Sequence, residues 1–369
     1  MAAAHALCTR LGITWPVIQA PMAGVQGHEL AAAVSAAGGL GSLPTATFAP
    51  QELQRELQAL QQACGGRPWA VNFFCHRPAE PQAVQTAEAR WREALAPWYR
   101  QAGVEAPTAG AAARRPFDEA MADLVAPFRP PVVSFHFGLP APALLARAKG
   151  WGAVVMSSAT TVDEARWLEA HGADVVIAQG LEAGGHRGHF LRADDDLSGQ
   201  AGLFALLPQV AAAVRLPVVA AGGIVDAAAV RAARALGAAG VQAGTVFLPC
   251  PEARTAALHR AALAAAQPGV PFDTRITRAF TGRPARGIAN RWMLEAAAPG
   301  VEGAIPPFPL AAGALTPLRA RAESEGRSDF TAMWAGQRRP PGPPRPAAEI
   351  VHSLSQGWQD SPIHEETRR

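Results

Sequence analysis

Residues 174–190, DVVIAQGLEAGGHRGHF, join a short apolar run to a turn that carries charge and an imidazole. The run Val175-Val176-Ile177 predicts a buried strand, and the glycines after it predict a loop whose backbone can take positive φ and approach a bound group closely. Glu182, His186 and Arg187 place a carboxylate, an imidazole and a guanidinium group in that loop. Because an imidazole titrates near neutral pH, His186 is a candidate for proton transfer. A histidine in a loop is also commonly a hydrogen-bonded structural residue, and that alternative stays open.

Other polar or glycine-rich positions fall where further strand-like runs end. Asn72, His136 and Gln179 each lie in or at the end of such a run, and two small-residue segments follow later runs: Gly222-Gly223 and Gln242-Ala243-Gly244-Thr245. Gly222-Gly223 either makes only the tight exit of its strand or, with the second segment, binds a phosphate through backbone N–H groups and a helix dipole. His136, flanked by two phenylalanines, is either a second catalytic candidate or a satisfied core histidine.

Strand-like runs alternate with helix-like segments along most of the chain, which predicts parallel strands. Eight such units predict an α/β fold of the (β/α)₈ TIM barrel type in preference to an open doubly wound sheet, which periodicity alone does not exclude. In a barrel the polar residues at the strand ends converge on one face. The predicted strands are residues 16–22, 40–44, 69–75, 131–138, 153–159, 175–177, 217–223 and 240–247.

The alternation stops near residue 265, which predicts two parts of unequal size. We expect residues 1–267 to form the barrel, with a charged helical insertion at about 79–130, and residues 268–369 to form a smaller C-terminal cap domain with a returning strap. Further expectations are a β-hairpin or extended segment over 268–290, a helix over 319–334 and a proline-rich linker over 336–346.

Composition excludes several classes of protein. With 49% hydrophobic and 17% charged residues in 369, the chain can bury a large core, and its net charge of +3 comes from scattered arginines that form no nucleic-acid-binding stripe. No apolar run reaches about eighteen residues, which predicts no membrane span and no secretory leader. The four cysteines lack metal-ligand spacing, which predicts reduced thiols, no metal site and a cytoplasmic location. The sequence leaves the choice between monomer and homodimer open.

Segments spread from residue 16 to about residue 351 resemble the class I nitronate monooxygenases, formerly called 2-nitropropane dioxygenases. The segment AQGLEAGGHRG is specific for this family, and related FMN-dependent enoyl and quinone reductases share part of the pattern. The segments that carry the resemblance are QAPMAGVQGHELAAAVSAAGGLGSLP, VNFF, AQGLEAGGHRG, PVVAAGGIVD, GVQAGTVFL, TGRPARGIAN and WAGQ with the later PAAEIV.

The resemblance implies an FMN-dependent barrel whose cap closes over the flavin. It also implies that an alkyl nitronate, such as propionate 3-nitronate, or a nitroalkane reduces the flavin and that O₂ then gives a carbonyl compound and nitrite. The positions that match the family's cofactor site, with their glycine neighbours, are Met22, Asn72, Gln179, Gly184, Gly185, Gly222, Gly223, Gln242, Ala243, Gly244 and Thr245.

His186 matches the catalytic histidine of the family. A neutral imidazole suits abstraction of the α-proton of a nitroalkane, whereas a preformed nitronate needs no base. His136 is the second catalytic candidate. Thr281 and Arg283 are candidates for substrate binding, although Arg283 can equally join the cap to the barrel, and Thr281 stands where the family usually has serine.

Two other functions remain open at this point. One is an NAD(P)H-dependent reductase of quinones or enoyl thioesters that uses the same FMN, and the other is a non-catalytic flavin-binding protein. Cap tyrosines and a lysine of some members have no counterpart here, since Tyr99 is the only tyrosine, and this leaves the substrate preference open.

Overall fold

The computed structural model describes residues 2–78, 81–108, 114–192, 195–265 and 272–359. The expected boundary between barrel and cap, at residues 267 and 268, and the polar tail from residue 360 lie outside these ranges. Part of the predicted insertion, residues 79–80 and 109–113, lies outside them as well.

Eight parallel strands form one sheet, as the alternation predicts. Almost every internal position of these strands is buried, with Gln242 of the last strand partly exposed, which explains why they read as largely apolar runs. The strands are β1 (Val17–Gln19), β2 (Gly41–Pro44), β3 (Trp69–Phe74), β4 (Val132–His136), β5 (Val154–Ala159), β6 (Val175–Gln179), β8 (Val218–Ala221) and β9 (Gly240–Ala243).

The sheet closes into a barrel through its two edge strands. Its order is β1-β9-β8-β6-β5-β4-β3-β2, and a parallel bridge between Ile18 and Leu40 joins the two ends. The backbone N–H of Gln19 donates to Leu40 O at 2.9 Å, and the N–H of Leu40 donates to Val17 O at 2.9 Å. Closure removes the free edges that an open sheet would leave, and the TIM barrel expectation is confirmed.

Helices follow most of the strands, and local signals fix their ends. In α3, Pro50 stands at the start and Gly65 ends the helix with φ 55°. The side chains of Thr161 and Asp226 accept backbone N–H groups at the starts of α8 and α10. The helices of the barrel region are α1 (Ala2–Leu11), α2 (His28–Ala36), α3 (Pro50–Cys64), α4 (Pro81–Ala94), α5 (Ala96–Ala102), α6 (Glu119–Val125), α7 (Pro142–Gly150), α8 (Val162–Ala170), α9 (Leu203–Ala213), α10 (Ala227–Ala235) and α11 (Ala257–Ala264).

A second, three-stranded sheet joins the C-terminal region to the loop after β6. The predicted hairpin is present as β10 (Thr274–Thr277) and β11 (Ala285–Ile288), and β11 pairs antiparallel with the two-residue strand β7 (Gly185–His186). In this register Ala285 lies opposite His186. The backbone of His186 is therefore part of a sheet and does not belong to a free loop.

The C-terminal helices pack against the insertion. Trp91 and Tyr99 of the insertion donate to the backbone oxygens of Ala311 and Ala314 at 3.1 and 2.7 Å, and the Trp91 ring lies 6.0 Å from that of Trp292. One apolar cluster thus contains residues from both parts of the chain. The C-terminal helices are α12 (Arg291–Glu295), α13 (Pro299–Glu302), α14 (Ala311–Ser324) and α15 (Ala347–Ser355).

The predicted helix over residues 319–334 is misplaced. Helix α14 begins at Ala311, includes Pro317 and ends at Ser324, and Gly326 then takes φ 73°. Pro317 lies inside this helix, where a proline removes one backbone hydrogen bond without ending the helix. No helix in the described ranges is both long and apolar enough to cross a membrane.

Candidate active site

A cavity of about 450 Å³ opens at the carboxyl ends of the barrel strands. Its size suits a mononucleotide or a comparable ligand. The predicted cofactor residues and both candidate histidines line it, whereas Thr281 and Arg283 lie behind its wall. Its lining includes Met22, Asn72, His136, Gln179, Gly184, Gly185, His186, Gly222, Gly223, Gln242, Ala243, Gly244 and Thr245.

His186 has one ring nitrogen bound and one available. Its Nε2 lies 2.9 Å from Thr281 Oγ1, and the Thr281 hydroxyl donates to the carbonyl of Arg283 at 3.3 Å. Since the hydroxyl proton is used there, we assign the proton on the imidazole to Nε2, which donates to Thr281. Nδ1 then carries a free lone pair and has no partner among the described residues. This tautomer suits His186 to accept a proton at Nδ1.

The surroundings keep the His186 ring neutral. Burial lowers its pKa well below the usual value of 6.5, and the charge of Arg114 and then the neighbouring His136 and Arg283 lower it further. The ring of Phe308 lies 5.3 Å away and that of Trp334 lies 5.7 Å away, so apolar surfaces flank the imidazole. His186 is therefore a base at neutral pH and not a cation.

His136 and Gln179 hold the backbone of His186 in place. His136 Nε2 donates to the carbonyl of His186 at 3.2 Å, and Gln179 Nε2 donates to the same oxygen at 2.9 Å. The other ring nitrogen of His136 lies 3.0 Å from the Ser158 hydroxyl, and Gln179 Oε1 accepts the N–H of Gly188 at 2.8 Å. Burial lowers the pKa of His136 to about 3. Both side chains thus fix the shape of the loop that presents His186.

Arg187 is an internal anchor and does not face the cavity. Its side chain is fully buried and donates to Gly180 O at 2.6 Å, Gln179 O at 2.8 Å and Gln200 Oε1 at 2.9 Å. Burial lowers its pKa to about 10, which leaves it charged at neutral pH. Glu182 is also structural, because its carboxylate accepts the N–H of Leu203 at the start of α9.

The two arginines of the hairpin are used in joining the C-terminal region to the barrel. Arg283 donates to the backbone oxygens of Arg187 and His189, and its guanidinium carbon lies 4.1 Å from the centre of the Phe137 ring. Arg286 donates to Leu181 O at 2.9 Å and to Thr274 O at 3.1 Å. Of the two interpretations of Arg283, the geometry favours the one in which it holds the hairpin on the barrel.

Unpaired backbone donors mark one end of the cavity. The N–H groups of Gly223, Ile224, Gly244 and Thr245 donate to no carbonyl oxygen among the described residues. They lie before the N-terminus of α10 and after β9, where a helix dipole favours an anion. Gly222 and Gly223 take φ 127° and 68°, values that other residues rarely adopt. This set of donors fits a phosphate monoester.

The strap lies against the same end of the cavity. The N–H of Gly336 donates to Thr245 Oγ1 and that of Gln337 donates to Glu182 O, both at 2.9 Å. A Cβ on Gly184 would lie 2.5 Å from the carbonyl carbon of Ala335. Only glycine at position 184 therefore permits this approach of the strap.

Asn72 keeps one side-chain atom for a ligand. Its Nδ2 donates to Ser134 Oγ at 2.9 Å and to Ser134 O at 3.2 Å. Its Oδ1 has no partner among the described residues, and the side chain lines the cavity. Gln179, in contrast, has both ends of its amide committed to the loop.

Sequence reasoning missed several residues of the site. Arg114, Phe308, Arg319 and Trp334 line the cavity or flank His186, although they lie in the insertion and the C-terminal region. Nothing in their local sequence marks them, since their positions depend on how the insertion packs on α14. The sequence indicates that the WAGQ segment lies at the site only through the family resemblance.

Buried neutral histidines should make the protein sensitive to acid. Burial lowers the pKa of His76 and of His259 to about 4 each, and each has a ring nitrogen without a partner. Both are unprotonated in the folded chain but protonate near pH 6.5 when it unfolds, so stability present above pH 6.5 is lost as the pH falls toward 4. We expect each of these two histidines to lower the free energy of unfolding by about 2 kcal/mol when the pH falls from 7.5 to 5.

Urea unfolding of the protein at the two pH values measures this loss. His259→Gln should remove the contribution of one histidine from the difference in unfolding free energy between the two pH values. His352→Gln, at an exposed position, should leave that difference unchanged. Equal stability of the native sequence at both pH values would contradict the assignment of neutral buried rings.

Comparison with known proteins agrees with this geometry. Residues 5–357 match the family model described as nitronate monooxygenase. A nitronate monooxygenase of Pseudomonas aeruginosa is 42% identical over 349 residues, covering 93% of this chain and 96% of that protein, and one of Paraburkholderia phytofirmans is 40% identical over 97% of this chain and 96% of its own.

Solved structures give the same result. A nitroalkane oxidase from Streptomyces ansochromogenes superposes with a TM-score of 0.83 at 38% identity over 95% of this chain and 97% of that chain. FabK from Thermotoga maritima superposes with a TM-score of 0.70 at 26% identity over 96% and 95% of the two chains. The cavity with its neutral histidine thus lies in a barrel shared across these proteins, and the chain belongs to the nitronate monooxygenase family.

Proposed function

We propose that the chain oxidises alkyl nitronates, and nitroalkanes through them, with O₂ to carbonyl compounds and nitrite, with FMN as its cofactor. The observation that carries this proposal is His186, a neutral base held at the cavity with Nδ1 available. A base of this kind matches the removal of the acidic α-proton of a nitroalkane.

The family is flavin-dependent, and features of the cavity support FMN as the particular flavin. Gly223, Ile224, Gly244 and Thr245 would hold one phosphate with backbone N–H groups, and Asn72 Oδ1 would accept from the ring system. When bound, the flavin would supply the redox chemistry of the reaction. We propose Met22, Gln179, Gly184, Gly185, Gly222, Gln242 and Ala243 as the rest of its lining.

The protein's own groups would bind and orient the substrate. Arg114 and Arg283 place positive charge near His186, which favours an anionic nitronate in the cavity. Thr281 fixes the tautomer of His186, and His136 fixes the position of its backbone. We therefore assign His136, Thr281 and Arg283 positioning roles and keep proton abstraction for His186.

We also propose that the insertion and the C-terminal region form one cap over this cavity. Helices α4 and α5 share an apolar cluster with α12 and α14, and the hairpin holds His186 through β7. We place the enzyme in the cytoplasm, since its four cysteines are all unpaired.

Substrate reduction of the flavin under anaerobic conditions tests the function. Anaerobic mixing of the purified yellow protein with propionate 3-nitronate should bleach or shift the absorbance spectrum of the flavin. Admission of air should then lead to the release of nitrite. NADH should not reduce it at a comparable rate. Fast reduction by NADH with no reaction with nitronates would instead identify a quinone or enoyl-thioester reductase, and no reaction with either would identify a flavin-binding protein without this activity.

The cofactor and Asn72 are tested together by flavin release and titration. Denatured protein should release FMN and not FAD, and Asn72→Ala should weaken FMN binding by about 1–3 kcal/mol because it removes a ligand acceptor. Ser157→Ala is the control, since it removes a buried hydroxyl of β5 that donates to Phe135 O and Gly138 O and does not line the cavity. Unchanged affinity for FMN, followed by flavin fluorescence, in both Asn72→Ala and Gln179→Ala would place the flavin elsewhere.

A further inference from the structure

We propose that Arg114 forms a cationic subsite, with Arg319 at its rim, that binds a carboxylate on the substrate and so selects nitro acids over uncharged nitroalkanes. This inference rests on the proposed function, because it concerns the second functional group of the same substrate. Neither arginine was marked by the sequence.

Arg114 is a half-buried cation at the cavity, and none of the acidic residues that the structure describes pairs with it. It lines the same cavity as His186, and its guanidinium group forms no ion pair or hydrogen bond with any residue in the described ranges. Leaving a charge out of water without a partner is costly, so such a site favours an incoming anion. Arg319 of α14 lines the cavity too, is exposed, and is near enough for its charge to act on Arg114.

The other arginines around His186 are already used. Arg187 donates to three oxygens inside the protein, Arg283 donates to two carbonyls and lies on the Phe137 ring, and Arg286 donates to backbone oxygens. Arg338, at the phosphate end of the cavity, pairs with Asp226 at 2.6 Å. Arg114 is therefore the cation best placed to bind a substrate carboxylate.

His76 links the backbone of Arg114 to the aromatic ring beside His186. The ring of His76 interacts with the backbone of Arg114 and packs edge-on against Phe308 at 4.8 Å. Phe308 also flanks His186, so His76 and His186 pack against the same aromatic ring. A substrate carrying its nitro carbon at His186 and its carboxylate toward Arg114 would span the two.

One acidic group lines the same part of the cavity. Glu323 lies one turn after Arg319 on α14, and its carboxylate accepts the Thr331 hydroxyl at 2.9 Å. It does not pair with either arginine in the described structure. With Arg114 and Arg319 against Glu323, the net charge of this wall remains positive.

Ligand binding without turnover gives the first test. We would titrate the FMN-loaded His186→Asn protein without O₂, so that neither ligand is turned over, by calorimetry with 3-nitropropionate and with 1-nitropropane, two compounds that differ by the carboxylate. This protein should bind 3-nitropropionate more tightly, and adding Arg114→Gln should reduce that affinity roughly 10–100-fold while changing the affinity for 1-nitropropane less than about threefold, as expected for one charge-assisted contact. Arg319→Gln should have a smaller effect, since it is exposed.

Arg115→Gln is the matched control, because Arg115 is the exposed neighbour of Arg114 and carries the same charge. It should leave both affinities unchanged. Equal losses for both ligands in Arg114→Gln would overturn the proposal in favour of contact with the nitro group, and no loss in Arg114→Gln would remove Arg114 from the site.

Kinetics separate the failure of this inference from failure of the proposed function. With propionate 3-nitronate and propyl-1-nitronate as substrates, Arg114→Gln should raise KM for the first at least about tenfold more than KM for the second, because both are anions but only the first carries a carboxylate. If the native protein oxidises neither nitronate, the proposed function fails, and the binding preference still decides the subsite. If the native protein oxidises both nitronates equally well and Arg114→Gln changes KM for neither, the proposed subsite is wrong and the proposed function is retained.

Discussion

Replacement of His186 by Asn should lower activity on neutral nitroalkanes by roughly 10²–10⁴-fold, the usual contribution of general-base catalysis. The variant keeps a polar side chain of similar size but has no basic nitrogen to receive the α-proton. Preformed nitronates are already deprotonated, and their oxidation should fall much less. Steady-state nitrite release from both forms of one substrate measures the difference, with the nitronate prepared in alkali and assayed before it reprotonates.

The ratio of the two losses is the decisive quantity. Equal losses on the nitroalkane and the nitronate would show that His186 serves binding or electron transfer, and unchanged activity on both would make it a structural residue. Because burial lowers the pKa of His186 well below 6.5, nitroalkane activity should also persist below pH 6.5, where an ordinary histidine would be protonated. A steep fall centred at pH 6.5 would contradict the neutral environment seen around the ring.

Replacement of Arg187 by Met should destabilise the folded protein by roughly 3–5 kcal/mol, because three buried oxygens lose their donor at about 1–3 kcal/mol each. Methionine fills a similar volume but leaves Gly180 O, Gln179 O and Gln200 Oε1 without their donor. Urea unfolding of the flavin-free protein measures the change. The loop that presents His186 begins at these oxygens, so activity should fall as well.

Arg215→Met is the control for this substitution, since the Arg215 side chain is 96% exposed. It should change the free energy of unfolding by less than about 0.5 kcal/mol. A loss below about 1 kcal/mol in Arg187→Met would mean that water reaches the three oxygens and replaces the guanidinium group.

The barrel could be predicted from the sequence because its strands are buried on both sides. Such strands read as largely apolar runs, and seven of the eight predicted runs contain the observed strand, whereas β6 extends two residues beyond its predicted run, to Gln179. The ends of helix α3 carry local signals of the same kind, since Pro50 stands at its start and Gly65 ends it. The convergence of Asn72, Gln179 and Gly223 follows from the barrel alone, because parallel strands end on one face.

The parts that could not be predicted depend on contacts between distant segments. Strand β7 has two residues and forms only because β11 lies beside it. Ala285 of β11 lies opposite His186 of β7, although about a hundred residues separate them in the chain. The full burial of Arg187 is invisible in sequence, where an arginine beside a histidine suggests a cation in the site. Arg114 reaches the cavity only through the packing of the insertion.

The shared cluster of the insertion and the C-terminal helices limits how the enzyme can be recombined. Trp91 and Tyr99 depend on the backbone oxygens of Ala311 and Ala314, so neither segment has a complete surface of its own. In a chimaera that takes α12 and α14 from a relative while keeping the native α4 and α5, the new α14 would have to place its backbone oxygens within reach of the Trp91 indole and the Tyr99 phenol. Exchange of substrate preference between relatives therefore has to move both segments as a single module.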